Sequence, residues 1–207
     1  MKRLFDLLLD FEGQGVFNQY RDVTGDLDRP DGAAIRRANL RRYLELFSGA
    51  AYVLVGEAAG YAGCRFSGLP FTGEAQLVGP ERLPWVRDGD FAQSSAGGPW
   101  REMSGSIVWE VLGRRRDCLL WNAFPWHPFG DKRLSNRRPL RAEMAQGRKV
   151  LQHFLSLFPQ AEIHAVGRMS ERALAEIGVE ARYIRHPSHG GKPEFKRGVE
   201  LLPVIKA

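Results

Sequence analysis

The chain has 207 residues, of which 43% are hydrophobic, and 30 Lys and Arg against 24 Asp and Glu give it a formal net charge of +6 at pH 7. This length can bury an apolar core, and we expect one domain spanning residues 1–207. With only two cysteines, Cys64 and Cys118, the chain alone cannot build a disulfide framework or a four-thiolate metal site. Both are predicted to be free thiols in a reducing compartment.

The N-terminal segment MKRLFDLLLDFEG begins like a secretory signal. Asp6 and Asp10 interrupt its apolar run, however, and it lacks a small-residue cleavage site. No stretch of the sequence is apolar for long enough to span a bilayer. The sequence therefore predicts a cytoplasmic protein without a membrane partner.

Helical and strand patterns alternate along the rest of the chain. Apolar residues at helical spacing predict helices near residues 4–11, 33–47, 104–112, 139–158, 170–177 and 193–205. Short apolar runs predict strands at residues 51–55, 118–121, 162–166 and 181–184. These runs show little period-two alternation, which indicates a parallel sheet covered on both faces. The predicted fold class is α/β, a three-layer α/β/α sandwich with a central, mainly parallel sheet of four strands.

Three loops should meet at the carboxyl edge of this sheet, where α/β proteins bind their ligands. They are residues 56–71, 122–129 and 186–191. The first loop carries Glu57 among small residues and Phe71 in a second tight turn. A carboxylate argues against simple phosphate binding, so a charge combined with a ring suggests a pocket for a flat, uncharged ligand.

The other two loops add an amide and an imidazole. Asn122 follows the second strand, and its amide offers one acceptor and two donors to the edge of a heterocycle. The rings that follow it, Phe124, Trp126 and Phe129, could stack on bases or belong to the core, with Asn122 tying down its turn. His186 at the end of the fourth strand could also be structural. Delivered together by separate loops, these groups indicate a functional pocket.

The excess positive charge is clustered at residues 114–116 and 132–141. Such clusters suit a polyanionic partner, although a solvated basic surface would have the same composition. The Gly- and Pro-rich segment 72–99 is too long for an ordinary connection and could be a functional loop. GEAAG lacks the full G-x-G-x-x-G fingerprint, which disfavours a dinucleotide cofactor.

Four motifs occur in the order GEAAG, GLPF, WNAF and RHPS, and over residues 53–192 the chain resembles the uracil-DNA glycosylase superfamily. The first motif is most similar to the branch with G-E-A-P-G. The resemblance implies two catalytic residues: Glu57 handles the attacking water and His186 stabilises the departing base. It also implies that Phe71 stacks on an extruded base, that Asn122 reads the edge of that base, and that Ala58 belongs to the base pocket.

The resemblance further implies that the loop after His186 is a wedge pressed into the DNA minor groove. The expected DNA-binding residues, from this loop and the basic run, are Pro187, Ser188, His189, Gly190, Arg137 and Arg138.

The chain also departs from the pattern of the G-E-A-P-G branch. That branch binds an iron-sulfur cluster through four cysteines, so we expect no cluster, no metal and no cofactor here. Ala59 replaces the expected proline, and Gly60 stands where a tyrosine excludes the thymine methyl in another branch, which leaves the base range open.

The expected function is that of a monofunctional glycosylase. It would remove uracil or a related deaminated base from DNA, leave an abasic site for base-excision repair, and act as a monomer. The alternatives are a non-catalytic nucleic-acid-binding member of the superfamily and a nucleoside hydrolase.

Overall fold

The computed structural model describes residues 1–205, in which helices and strands alternate along most of the chain. In chain order the elements are α1 (Lys2–Asp10), β1 (Val16–Phe17), α2 (Gly32–Leu46), β2 (Tyr52–Ala58), α3 (Cys64–Ser67), α4 (Met103–Leu112), β3 (Cys118–Phe124), β4 (His127–Pro128), α5 (Arg141–Ser156), β5 (Glu162–Val166), α6 (Arg168–Ala175), β6 (Arg182–Ile184) and α7 (Lys192–Glu200). A short 3-10 helix, Glu74–Gln76, lies between α3 and α4. None of the helices in residues 1–205 is both long and apolar enough to cross a membrane.

The centre of the fold is a parallel sheet of four strands in the order β3-β2-β5-β6. Every residue of β3 is buried, as are the first five of β2. Helix α5 packs against β3 and α6 against β5. Burial on both faces explains why these strands are continuous apolar runs in the sequence. The predicted α/β class, with a four-stranded parallel sheet flanked by helices, is confirmed.

Two central strands are longer than predicted. Strand β2 continues to Ala58 and β3 to Phe124, and Gly56 pairs with Asn122 in the ladder between them. The prediction that Glu57 and Asn122 lie in loops was therefore wrong, because backbone pairing continues beyond the last apolar side chain. Both functional candidates are consequently held by the sheet itself.

Two further features differ from the prediction. Strands β1 and β4 form a separate antiparallel pair that was not predicted, since strands of two residues have no recognisable period. Helix α7 ends at Glu200, short of the predicted end at residue 205. Pro203 follows soon afterwards, and proline cannot continue a helix interior.

The segment 72–99 is packed onto the protein and held by a buried carboxylate. Glu74 Oε1 accepts hydrogen bonds from the backbone N–H groups of Ser94 (2.7 Å) and Ser95 (3.0 Å). Farther along the segment, Leu83 and Phe91 are buried in the hydrophobic core. The length of this segment is therefore used for packing as well as connection.

A buried ion-pair network fixes the region that follows β2. Asp28 accepts hydrogen bonds from Arg36 on α2 and from Arg65 on α3, each at 2.9 Å. Burial opposes ionisation of Asp28, but the two guanidinium groups hold the pKa of its carboxyl below the ordinary value. The network ties α3 to α2 and so restrains residues 59–63, the turn between β2 and α3.

Candidate active site

A cavity of about 370 Å³ opens beside the carboxyl ends of β2 and β3. It brings together most of the site residues predicted from the sequence, which are Glu57, Ala58, Phe71, Asn122, Arg137, Arg138, His186, Ser188 and His189. Pro187 and Gly190 do not line it: Pro187 is buried and Gly190 is exposed. The remaining lining residues are Ala59, Gly60, Glu102, Ser104 and Asn136.

Phe71 forms one wall of the cavity because Gly56 leaves room for its ring. A Cβ atom at position 56 would overlap the Phe71 ring and lie 3.1 Å from Asn122 Oδ1. Phe71 itself adopts a φ of 51°, which is uncommon for an aromatic residue and is typical of functional sites. Because residue 56 is a glycine, the Phe71 ring and the Asn122 amide can both lie against the backbone of β2.

Glu57 projects from the end of β2 into the cavity and is half-buried. Burial raises the pKa of its carboxyl, and the positive charge of Arg138 partly opposes this shift. A carboxylate with a raised pKa is a stronger base than a solvated one. Glu57 is thus equipped to accept a proton from water or to stabilise a nearby cation.

His186 is held in one tautomer by the turn that follows it. The backbone N–H of Ser188 donates to His186 Nδ1 at 3.1 Å, so the proton of the neutral ring lies on Nε2. Burial lowers the pKa of His186 to about 4, with further lowering from the charges of Arg185 and His189. The imidazole is therefore neutral at pH 7 and can offer an Nε2–H donor. Its ring centroid lies 5.9 Å from that of Phe71.

The turn after His186 is tight and partly exposed. The N–H of Gly191 donates to the carbonyl of Ser188 at 3.1 Å, and His189 adopts a φ of 50°. Ser188 and His189 lie at the cavity, with His189 exposed to solvent. The turn therefore holds a residue with a strained backbone beside the cavity.

The two candidate DNA-binding arginines differ in their surroundings. Arg137 pairs with both carboxylate oxygens of Glu143, at 2.8 and 2.7 Å, and donates to the carbonyls of Phe129 and Gly15 at 3.0 Å. Its guanidinium is thus committed to contacts within the protein. Arg138 is exposed and lies close enough to Glu57 to influence its pKa.

Two of the rings that follow Asn122 belong to the core. Phe124 and Trp126 are buried, and the Trp126 indole donates to the carbonyl of Leu8 at 2.9 Å and stacks on Phe11 at 4.1 Å. The interpretation that Phe124 and Trp126 stack on bases is wrong, and the alternative core interpretation is correct for them. They pack α1 against the sheet.

His127 is buried and lies between two backbone carbonyls, with Nδ1 3.0 Å from the oxygen of Ala59. Burial lowers the pKa of His127. The contact of its ring with the carbonyl of Ala59 holds the turn that follows Glu57. Among residues 1–205, no group of three or more His, Cys, Asp or Glu side chains is placed to hold a metal ion.

Sequence reasoning missed Glu102, Ser104 and Asn136. Asn136 Oδ1 accepts the backbone N–H of Tyr61 at 2.9 Å and so holds the turn after β2. Glu102 precedes α4, and its Oε2 is buried without a hydrogen-bond partner in the described part of the chain. The only sequence signal near Glu102 was the predicted start of a helix at residue 104, which says nothing about what the preceding side chain faces.

Comparisons with known proteins concern the family and the fold. The sequence profile of the Uracil DNA glycosylase superfamily matches residues 46–205, a range that contains every residue lining the cavity. No curated protein matches the chain. The crystal structure of wild-type SMUG2 from Pedobacter heparinus is similar with a TM-score of 0.60 and 11% sequence identity, over 97% of this chain and 96% of that chain. At this identity the similarity concerns the fold alone.

Proposed function

Since the chain belongs to the uracil DNA glycosylase superfamily, we propose that it hydrolyses the N-glycosidic bond of uracil, or of a related deaminated base, in DNA. The product is an abasic site for base-excision repair. The observation that carries the proposal is the single cavity in which a carboxylate, an aromatic wall, an amide and a neutral imidazole meet. One chain supplies all of these groups, and we propose that it acts as a monomer and as one domain.

A base inside a duplex cannot reach this cavity, so the nucleotide has to be swung out at a cost of about a few kcal/mol. The proposed wedge that replaces the extruded base in the stack is the turn with Ser188 and His189, which lines the cavity. Arg138 is exposed at the same cavity and can neutralise a phosphate of the flanking backbone. The face of Phe71 then receives the base, as aromatic platforms do in other nucleic-acid-binding proteins.

Cleavage of the bond between C1′ and the base nitrogen leaves positive charge on the sugar and negative charge on the base. Ionised Glu57 stabilises the sugar cation and accepts a proton from the water whose oxygen bonds to C1′. The electron pair of the broken bond stays with the base, which leaves as an anion and is then protonated by solvent. The raised pKa of Glu57 favours the proton transfer.

His186 stabilises the departing base without protonating it. With a pKa of about 4, only about one imidazole in a thousand is protonated at pH 7. The Nε2–H donor instead hydrogen-bonds to the oxygen on which the anion develops. Fixed donors of this kind contribute about 10²–10³ in rate in comparable oxyanion sites.

Asn122 reads the base edge by accepting from N3–H of uracil and donating to O4. The amide is buried and lines the cavity. An amide can satisfy uracil in one orientation and cytosine in the other, so Asn122 by itself does not separate the two bases.

The test is a single-turnover assay on oligonucleotides that each carry one dU, in single and double strands, with EDTA present. Alkali-cleavable breaks at dU in the native protein, formed much more slowly in Glu57→Gln and His186→Ala while DNA affinity is nearly unchanged, would support the proposal. DNA binding without cleavage of any deaminated base would favour the binding-only alternative. Activity confined to free nucleosides would favour a nucleoside hydrolase.

A further inference from the structure

Glu102 lines the cavity but has no role in the proposed cleavage of the glycosidic bond. It lies just before α4, and its two carboxylate oxygens face two glycines of the turn after β2. Oε1 lies 3.1 Å from the position that a Cβ atom at Gly60 would occupy, on the cavity wall. Oε2 fills the space beside Gly63 so closely that a Cβ atom there would overlap it. Only one oxygen of the carboxyl group is thus directed to the cavity side.

Glu102 does not act as a helix cap. Although it precedes α4, its side chain forms no capping hydrogen bond with that helix, and Oε2 is buried with no partner among residues 1–205. The neighbouring Arg101 pairs instead with Glu81 at 3.0 Å. Oε1, on the side of Gly60, is the oxygen that a ligand in the cavity can reach.

We propose that Glu102 is a specificity-determining residue of the base pocket, whose neutral carboxylic acid donates a hydrogen bond from Oε1 to the carbonyl that deamination creates on a base. The inference rests on the proposed function and names the part of the substrate that this side chain recognises. Deamination replaces an exocyclic amino group, a donor, by a carbonyl oxygen, an acceptor. A donor at this place therefore separates a deaminated base from its parent.

The protonation of Glu102 agrees with this geometry. Burial raises the pKa of its carboxyl to about 7, with the nearby Ser104 hydroxyl acting in the opposite direction. A base entering the cavity displaces water and favours the neutral acid further. The other ionisable groups around it are the buried Cys64 thiol on α3 and the cavity residues Glu57, Arg137, Arg138, His186 and His189.

Glu102 also resolves the ambiguity left by Asn122. An amide that can flip accepts either uracil or cytosine, whereas the proton on Oε1 matches a carbonyl and opposes an amino group. With the proton on Oε1, the buried Oε2 remains a neutral carbonyl oxygen, which is less costly to bury than a charge. One mismatched contact of this kind leaves a buried polar group unpaired, which lowers affinity by about 5–150-fold.

The experiment compares Glu102→Gln and Glu102→Ala with Glu110→Gln as the matched control. Glu110 lies on α4 as well, but it is exposed and pairs with Lys192. Single-turnover excision of uracil is measured from pH 5.5 to pH 8.5 at saturating enzyme. Binding of free uracil and free cytosine is measured over the same pH range by calorimetry, and thermal melting reports whether each variant is folded.

Native protein and Glu110→Gln should lose uracil affinity as pH rises through about 7, and excision rate at a higher pH because the bound base favours the neutral acid; in both cases the donor is lost when the acid ionises. Glu102→Gln, whose amide donates but does not titrate, should remove this alkaline limb. Glu102→Ala should lower the preference for uracil over cytosine by about 10-fold or more.

The same alkaline limb in native protein and Glu102→Gln would overturn the inference, as would an unchanged base preference in Glu102→Ala. Should Glu102→Ala fail to fold, the comparison with Glu102→Gln still decides. Uracil binding with this pH dependence but without excision would contradict the proposed function alone. Excision without the dependence would contradict only the role of Glu102.

Discussion

Replacing Gly56 by alanine should disturb the cavity and the stability of the sheet through one contact. The added Cβ would overlap the Phe71 ring and approach Asn122 Oδ1 to 3.1 Å. Gly56 does not have a positive φ, so the backbone can accept alanine and the penalty is steric. The ring has to move, because the strand beneath it is paired on both sides.

The size of the effect follows from this overlap. Inserting a methyl group into a packed site typically costs about 1–3 kcal/mol. For a protein of this size, each kcal/mol lowers the melting temperature by about 2–4 °C. A displacement of the base-stacking wall by about 1 Å would also lower the rate of cleavage by about 10²-fold.

A double-mutant cycle identifies the ring as the cause. Thermal melting and single-turnover excision of dU are measured for Gly56→Ala, Phe71→Ala and the double variant. In the Phe71→Ala background the overlap with the ring is absent and only the 3.1 Å approach to Asn122 Oδ1 remains, so Gly56→Ala should cost clearly less stability there than in the native protein. Additive losses would show that the Phe71 ring is not what requires glycine at position 56, and the account of this wall would be wrong.

Three further variants test individual side chains. Glu57→Gln should abolish the acid limb of the excision profile, which in native protein falls as pH decreases through the raised pKa of Glu57; a surviving limb would assign it to another group. Arg138→Ala should reduce the slope of log affinity for DNA against log salt concentration by about 1, at unchanged melting temperature. Arg137→Ala should instead lower the melting temperature, because it leaves the partly buried Glu143 without its bidentate partner. Equal effects of the two arginines in both assays would contradict this division. Asn122→Ala should stay folded and lose most uracil excision, and native activity in that variant would move base reading elsewhere.

The sequence alone identified the class of the fold and the edge of the sheet that carries the site. Apolar strands alternating with amphipathic helices indicate a parallel sheet, and the carboxyl ends of parallel strands lie on one side. Glu57, Asn122 and His186 follow such runs, and the structure places all three around one cavity with Phe71. Short-range patterns were sufficient here because the topology of the sheet brings strand ends together.

Only the tertiary structure showed what each side chain touches. Arg137 and Arg138 are adjacent in sequence, yet only Arg137 meets a carboxylate with both branches of its guanidinium. Phe124 and Trp126 could be assigned to the core only after α1 was seen to pack on them. Local sequence does not record such partners, because they come from elements far along the chain.

The surroundings of Glu102 could not be predicted from the local sequence either. Its oxygens face Gly60 and Gly63, which precede it by about forty residues, and no periodic pattern links the three positions. Whether a carboxyl is solvated or enclosed depends on the atoms around it, so its pKa and its hydrogen-bonding role are properties of the folded chain. The chemistry at this wall of the cavity was therefore decided by the approach of α4 to the turn after β2.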